Sequence, residues 1–269
     1  MTLSKEELQE MARSVSWFHS MDLGQGVVTR GLKSSEQLDH ELRSLRLPDL
    51  AGKSVLDIGA WDGYFSFAAE VLGARRVVAL DHYVWSMDLH EHFRYVEECK
   101  TRGIVPRLYH EMNYWRPSEL PGKRGFDTAH RAFGSRVEER VADFMEMDLA
   151  ALGVFDVVLY LGALYHMEDP LRALRRVAAV TEELAVIETD AAALPGYEHQ
   201  PICLFFPSNE LDNDVSNWWA PNQKALEGMC RAAGFRKVEA LSGSPFASPQ
   251  KPALTSEIVR YRAVVHAWK

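Results

Sequence analysis

Cysteine is scarce and scattered. Cys99, Cys203 and Cys230 lie far apart and are odd in number, which excludes a disulfide framework and a zinc-ligand spacing and points to a reducing compartment. Positive charge is also short, with 30 Lys and Arg against 38 Asp and Glu and a formal net charge of -8. Such a chain has no electrostatic footprint for a phosphate backbone, so nucleic acid is disfavoured as a partner. The denser basic spots, Arg75-Arg76, Lys123-Arg124 and Arg172 to Arg176, read as solvated faces. No apolar run approaches the roughly 18 to 20 residues that span a bilayer, and Met1 to Glu10 lacks an apolar signal core. The expectation is a soluble, cytoplasmic protein with no membrane partner. Internal repeats are absent too.

What is present is enough apolar material for one substantial core: 269 residues, 47% hydrophobic. Ser4 and Glu7 form a capping-box pattern, and Leu8, Met11, Ala12 and Val15 follow at helical spacing, predicting a helix over residues 4–15. A second helix starts near Ser34, carries Leu38, Leu42 and Leu45 on one stripe, and is closed by Pro48. Residues 1–50 thus read as an N-terminal helical cap, and 51–269 as the main domain. From Lys53 onward short β-rich runs alternate with helices, the pattern of a doubly wound, mostly parallel α/β sheet covered on both faces. The predicted strands are 54–59, 76–81, 136–142, 155–161 and 183–188, with helices over 64–72, 87–101, 126–133 and 171–180 between them. A helix over 223–233, stopped by Gly234, leads into strands 235–241 and 258–267, read as an antiparallel hairpin at the edge of a seven-stranded sheet. Two insertions, 102–124 and 189–222, lack regular patterning. The second is rich in aromatics, which argues against disorder and for a functional loop.

Residues 55 to 65 run from a buried strand through a glycine turn into a helix start. In open α/β sheets ligands sit beyond the carboxyl ends of the strands, where glycine lets them approach the backbone. The turn Gly59-Ala60-Trp61-Asp62-Gly63 departs from the dinucleotide pattern G-x-G-x-x-G, and Asp57 on the strand would repel a pyrophosphate. A ligand cationic near Asp57 fits better: the ammonium of an amino-acid moiety, whose carboxylate would meet the backbone donors of the turn. Asp81, twenty-four residues further on, ends the next strand and suits the two hydroxyls of a ribose. Asp143 ends the one after and suits an adenine amine, with Phe144 beside it to stack or to offer its amide. Any one of these aspartates could be turn chemistry alone; three at successive strand ends are harder to explain so.

With those residues in place the sequence resembles class I S-adenosylmethionine methyltransferases over about residues 52–240. The stretch Leu159 to His166 followed by Asp169-Pro170 resembles, more narrowly, the tRNA wobble-uridine 5-oxyacetate synthase family and its methyltransferase-like relatives. Ile187-Glu188-Thr189, Trp218 to Asn222, Ala233-Gly234-Phe235 and Trp17-Phe18-His19-Ser20 extend the match in order. The resemblance implies S-adenosyl-L-methionine as cofactor, held by Asp57, Gly59, Ala60, Asp62, Gly63, Asp81, Asp143, Phe144, Leu161 and Tyr165. The synthases use a carboxylated donor, whose extra carboxylate that family holds with the motif tyrosine, here Tyr165, and with an arginine. The stretch Asp214 to Trp218 offers only Val215 at the arginine's position, and burying a carboxylate without a cation is costly. A basic, Trp-rich segment of the synthases is replaced by an ordinary helix over 34–50, and the 102–124 insertion is foreign to them.

The expectation is therefore an enzyme that methylates a small-molecule acceptor, a specialised metabolite by analogy with such relatives. A tRNA-modifying enzyme of the wobble-uridine type is the first alternative, and a catalytically silent binding scaffold the second. Methyl transfer from a sulfonium is an in-line displacement that chiefly needs alignment. An acceptor that must lose a proton also needs a base, for which His166, His199 and Glu188 are candidates. A structural hydrogen bond is the alternative role for His166, and a solvated strand-end charge for Glu188. Trp17 and His19 from the cap, and Trp218 and Trp219 from the aromatic loop, are candidate substrate contacts, or else braces that dock the cap and the sheet edge. The Asp212-Asn213-Asp214 cluster reads as turn formers, so no metal is assigned. Oligomeric state is left open.

Overall fold

The computed structural model describes residues 3–194, 197, 199–241 and 258–269. Local sequence sets its first elements. The Ser4 hydroxyl accepts the Glu7 amide at 3.2 Å and the Glu7 carboxylate accepts the Ser4 amide at 2.7 Å, the reciprocal cap that starts α1 (Lys5–Arg13). Ser34 caps α2 (Ser35–Ser44) through the Gln37 amide, and this helix buries Leu38. There follow β1 (Ser54–Ile58), α3 (Tyr64–Val71), β2 (Arg76–Asp81), α4 (Leu89–Arg102), α5 (Arg124–Phe133) and β3 (Glu138–Val141). After them come β4 (Phe155–Leu161), α6 (Pro170–Val180), β5 (Thr181–Ala193), β6 (Cys203–Phe205), β7 (Trp219–Pro221), α7 (Gln223–Ala232), β8 (Lys237–Ala240) and β9 (Val259–Trp268).

Seven strands form one sheet in the order β3-β2-β1-β4-β5-β9-β8, and β6 pairs with β7 alone. Strand pairs β1/β2, β2/β3 and β4/β5 are parallel, whereas β9 runs antiparallel to both β5 and β8. The doubly wound sheet with an antiparallel edge is the architecture the alternating pattern implies. The chain divides into two compact units, Met1–Arg94 with Tyr109–Glu146, and Tyr95–Leu108 with Met147–Lys269.

In the first unit β1 is buried throughout and β2 everywhere but Arg76. Phe67 of α3 stacks on Phe126 of α5 with ring centroids 5.3 Å apart, and Trp85 lies 5.1 Å from Phe126. The part of the 102–124 insertion in this unit is ordered by Arg116. Its amide donates to the Ser86 carbonyl at 2.7 Å and its guanidinium to Glu91 at 2.7 Å. Strand β3 is shorter than the predicted 136–142, because only its four central residues find partners on β2, and all four are exposed.

In the second unit β5 does not stop at Glu188. It runs to Ala193 because β9 pairs with it from Leu184↔Trp268 to Ala193↔Val259. Asp190 to Ala193 have little strand propensity of their own, and the partner strand overrides it. The region read as an unpatterned insertion over 189–222 therefore begins as strand and also contains the β6–β7 hairpin. A small core of Ala192, Phe206, Leu211 and Ala220 packs beneath it. Strand β8 pairs with β9 as the predicted hairpin. The connection 242–257 between the two strands lies outside the described residues. Among the described residues no helix is long and apolar enough to cross a membrane.

Candidate functional site

The first unit carries the glycine turn. The chain leaves β1 at Gly59 with φ +84°, passes Trp61 at +51° and enters α3 from Gly63 at +85°, all left-handed. Asp81, at the end of β2, fastens this turn: its two carboxylate oxygens accept the amides of Trp61 and Val84, each at 3.0 Å. The backbone amides of Trp85 and His82 also hold its charge. Asp57 is buried at the end of β1 and accepts the Ser66 hydroxyl at 2.6 Å. Burial pushes its pKa up to about 7 against the pull of that hydrogen bond, and the neighbouring Asp81, itself raised by burial, adds to the shift. The carboxyl group thus sits where a cation would restore its charge. Trp61 Nε1 is buried with no hydrogen-bond partner among the described residues. Two buried carboxylates on adjacent strands, both with raised pKa and both beside the glycine turn, fit a ligand with an ammonium and a ribose.

Asp62 has a different position from its sequence neighbours. One oxygen accepts the amides of Phe18 and His19 at 2.7 and 3.0 Å, so this residue ties the N-terminal segment to the turn. Phe18 stacks on Trp61 with centroids 4.0 Å apart. Trp17 is buried and donates its indole N–H to the Ala12 carbonyl at 2.8 Å. Burial holds His19 neutral, with a pKa pulled down to about 3. Its Nδ1 lies 3.7 Å from Asp62. Asp143 is exposed and accepts the Met145 amide at 2.8 Å, while Phe144 is buried beside it.

The second unit carries a charged cluster. Leu161 ends β4, and the Gly162 amide donates to the Glu188 carbonyl at 3.0 Å before a short turn over Leu164–His166. Glu188 is buried and receives two hydrogen bonds from the Arg262 guanidinium, the Nη2 contact at 2.7 Å. Arg262 reaches Asp190 at 3.7 Å and lies 4.7 Å from the Tyr165 ring centroid. Burial raises the Tyr165 pKa, and Arg262 opposes that rise. Arg260 continues the chain of charges, bridging Asp190 at 2.7 Å and Asp212 at 2.9 Å. His166 packs 4.2 Å from Tyr165, with Nδ1 2.9 Å from the Ser216 hydroxyl. Burial pulls its pKa below the usual imidazole value, Asp214 and Asp190 push it up, and Arg262 pulls it down.

Both tryptophans of the aromatic loop brace this turn. The Trp218 amide donates to the Tyr165 carbonyl at 2.8 Å and the Trp219 indole to the Met167 carbonyl at 3.1 Å. His199 is exposed in a turn and is not brought into the cluster. Asp212 and Asp214 are engaged by Arg260 and Ser216, and no group of three or more potential metal ligands occurs among the described residues.

Sequence reasoning missed Arg260, Arg262, Asp214 and Ser216. The signal for the arginines was legible: two at alternate positions of an otherwise apolar strand, Val259-Arg260-Tyr261-Arg262-Ala263, share one face and need carboxylates opposite. The cation near Tyr165 is Arg262 of β9, and it is paired with Glu188.

Comparison with known proteins agrees with this picture. Residues 32–240 match the family model described as Methyltransferase domain. The tRNA U34 carboxymethyltransferase of Campylobacter hominis is 27% identical over 194 residues, 72% of this chain and 54% of that protein. The protein of the same name from Desulfotalea psychrophila is 25% identical over 226 residues, 81% of this chain and 58% of that one. The chain thus spans little more than half the length of these curated relatives. Among solved structures, the N-terminal domain of EvdMO1 with SAH and D-fucose superposes with a TM-score of 0.62 at 18% identity, covering 100% of this chain and 98% of that one. Magnesium protoporphyrin IX methyltransferase from Synechocystis PCC 6803, with bound SAH, gives 0.50 at 14% identity over 87% and 83%. These two likenesses concern the fold. The family match covers most of the chain and includes the glycine turn and both strand-end carboxylates. This chain belongs to the methyltransferase-domain family, as a class I enzyme with S-adenosyl-L-methionine as its cofactor.

Proposed function

We propose that the enzyme transfers a methyl group, not a carboxymethyl group, to a small-molecule acceptor whose O–H or N–H loses its proton in the reaction. The cofactor would supply an electrophilic methyl on a sulfonium, a leaving group that keeps the electron pair of the carbon–sulfur bond while the acceptor's lone pair forms the new bond to carbon. Asp57 receives the cofactor's ammonium, Gly59, Ala60 and Gly63 its carboxylate, Asp81 the ribose, and Asp143 with Phe144 the adenine. Leu161 and Tyr165 contribute further cofactor contacts, and Asp62 holds the turn and the N-terminal segment together. Residues 1–50, with Trp17 and His19, act as a cap over a domain formed by 51–269. Trp218 and Trp219 hold the turn that bears His166, and His166 takes the acceptor's proton.

The charge balance around Tyr165 carries this reading. Beside it the Glu188 and Asp190 carboxylates stand against the Arg262 guanidinium, two charges to one. Arg262 is committed to Glu188 by two hydrogen bonds, so an added carboxylate beside Tyr165 would be buried against a net negative charge. That disfavours a carboxylated donor. The formal charge of -8 likewise favours a small acceptor over a polyanion.

A second reading, a tRNA wobble-uridine modifying enzyme, is favoured by the names of the curated relatives. Calorimetric titration with S-adenosylmethionine and with its carboxylated form separates the two. The proposal expects tighter binding of the ordinary donor and no saturable tRNA binding at low salt. Preference for the carboxylated donor, or tRNA binding with a steep salt dependence, overturns it.

A further inference from the structure

The Ser216 hydroxyl has one proton to give, and it gives it to Asp214 Oδ1 at 2.7 Å. Toward His166 the same oxygen can only accept. Nδ1 of His166 lies 2.9 Å from this hydroxyl and 3.2 Å from the Ser216 backbone carbonyl, which also can only accept. Two acceptors on one ring nitrogen place its proton there.

The arrangement is built into the chain. Asp214-Val215-Ser216 folds as an Asx turn, in which the Ser216 amide also donates to Asp214 Oδ1, at 2.8 Å. The amide of Trp218 donates to the Tyr165 carbonyl at 2.8 Å, and the Trp219 indole to the Met167 carbonyl at 3.1 Å, so the loop is fastened to both sides of His166. Ser216 is buried, leaving little water to compete for its hydroxyl. Asp190 and Arg262, from β5 and β9, also act on the ring and oppose one another.

We propose that Asp214 and Ser216 are positioning residues that hold the His166 proton on Nδ1, so that Nε2 is the nitrogen that accepts the proton of the methyl acceptor. The inference rests on the reading of His166 as base and adds what makes it one. As the acceptor's oxygen or nitrogen bonds to the methyl carbon, its proton passes to the Nε2 lone pair. The resulting imidazolium donates through Nδ1 to Ser216, whose hydroxyl dipole and the Asp214 carboxylate behind it stabilise the positive charge. The proton then leaves Nε2 for solvent, restoring the neutral ring.

The test needs no knowledge of the acceptor. The full chain is labelled with 15N-histidine, and long-range proton–nitrogen correlation spectra are recorded near neutral pH, with His166 assigned by its loss in His166→Gln. Nδ1 is expected at the protonated, pyrrole-type shift and Nε2 at the pyridine-type shift. In Asp214→Asn the new amide can donate to Ser216, turning the serine hydroxyl toward His166, so the population moves toward protonated Nε2. Ser216→Thr, which keeps the hydroxyl, retains the wild-type pattern. With an acceptor in hand, Asp214→Asn lowers kcat about tenfold or more with KM for the donor unchanged. A wild-type ring protonated on Nε2, or a tautomer unmoved by Asp214→Asn, overturns the proposal. A tautomer that behaves as described, with normal turnover in His166→Gln, removes the base role itself.

Discussion

Asp57→Asn should make the donor-free protein more stable at high pH while removing its affinity for the donor. In the folded chain burial lifts the Asp57 pKa from 3.8 to about 7. Above pH 4 the unfolded chain ionises this carboxyl readily, whereas the folded chain ionises it only against desolvation. A raised folded-state value means that the carboxyl's stabilising contribution is complete below the unfolded pKa and is lost as pH rises from about 4 to about 7. At about 1.4 kcal/mol per unit, three units amount to about 4 kcal/mol at pH 8. Asparagine stays neutral and escapes that loss, but gives up part of the Ser66 hydrogen bond, about 1 to 2 kcal/mol. The net gain is about 2 kcal/mol, or on the order of 4 to 8 °C in Tm for a chain of this length. Thermal unfolding of both proteins without ligand, at steps from pH 5 to pH 8, reads it directly. The gap should close toward pH 5, and donor titration at pH 8 should show no binding to the variant. A variant no more stable than wild type at pH 8, or a gap that does not narrow with acid, would refute the burial of an uncompensated carboxyl at this point.

Arg262→Ala strands Glu188 in the interior and should cost about 3 to 5 kcal/mol in urea unfolding, with part of the loss restored by adding Glu188→Gln. An unchanged midpoint would mean that the pair is solvated. Asp62→Ala removes the acceptor of the Phe18 and His19 amides, so hydrogen exchange at residues 17–20 should accelerate and stability fall by about 1 to 3 kcal/mol. Gly63→Ala asks for a side chain at φ +85° with its Cβ 2.6 Å from the Phe67 ring. We expect a loss of about 2 kcal/mol or more, together with weaker donor binding, measured by thermal shift and titration.

Much of this was legible in the sequence, because the strands that form the sheet are apolar and short and the turn between Asp57 and Tyr64 is marked by its glycines. The end of β2 at Asp81 could be located to the residue, and that of β1, just past Asp57, to within one, because each aspartate is the first charge in a buried run. The second unit was harder. Thr189 to Ala193 become strand only through pairing with β9, and no local pattern announces a partner some seventy residues away. Ser216 matters to His166 across fifty positions, a proximity that only the fold creates. Asp62 read as a ligand contact by its place in the turn, whereas its oxygen is directed to the backbone of an N-terminal segment more than forty residues earlier.

The long reach of β9 also has a kinetic side. Arg262 and Glu188 are separated by 74 positions and Arg260 and Asp190 by 70. Closing such loops is entropically expensive and slow, and the interior position of β9 between β5 and β8 means that neither neighbour is complete until it docks. Until then the carboxylates of β5 keep their water. The two guanidiniums arrive with the strand itself, so desolvation of Glu188 and Asp190 and closure of the sheet are a single late event. Substitutions at Arg260 or Arg262 should accordingly speed unfolding far more than they slow folding.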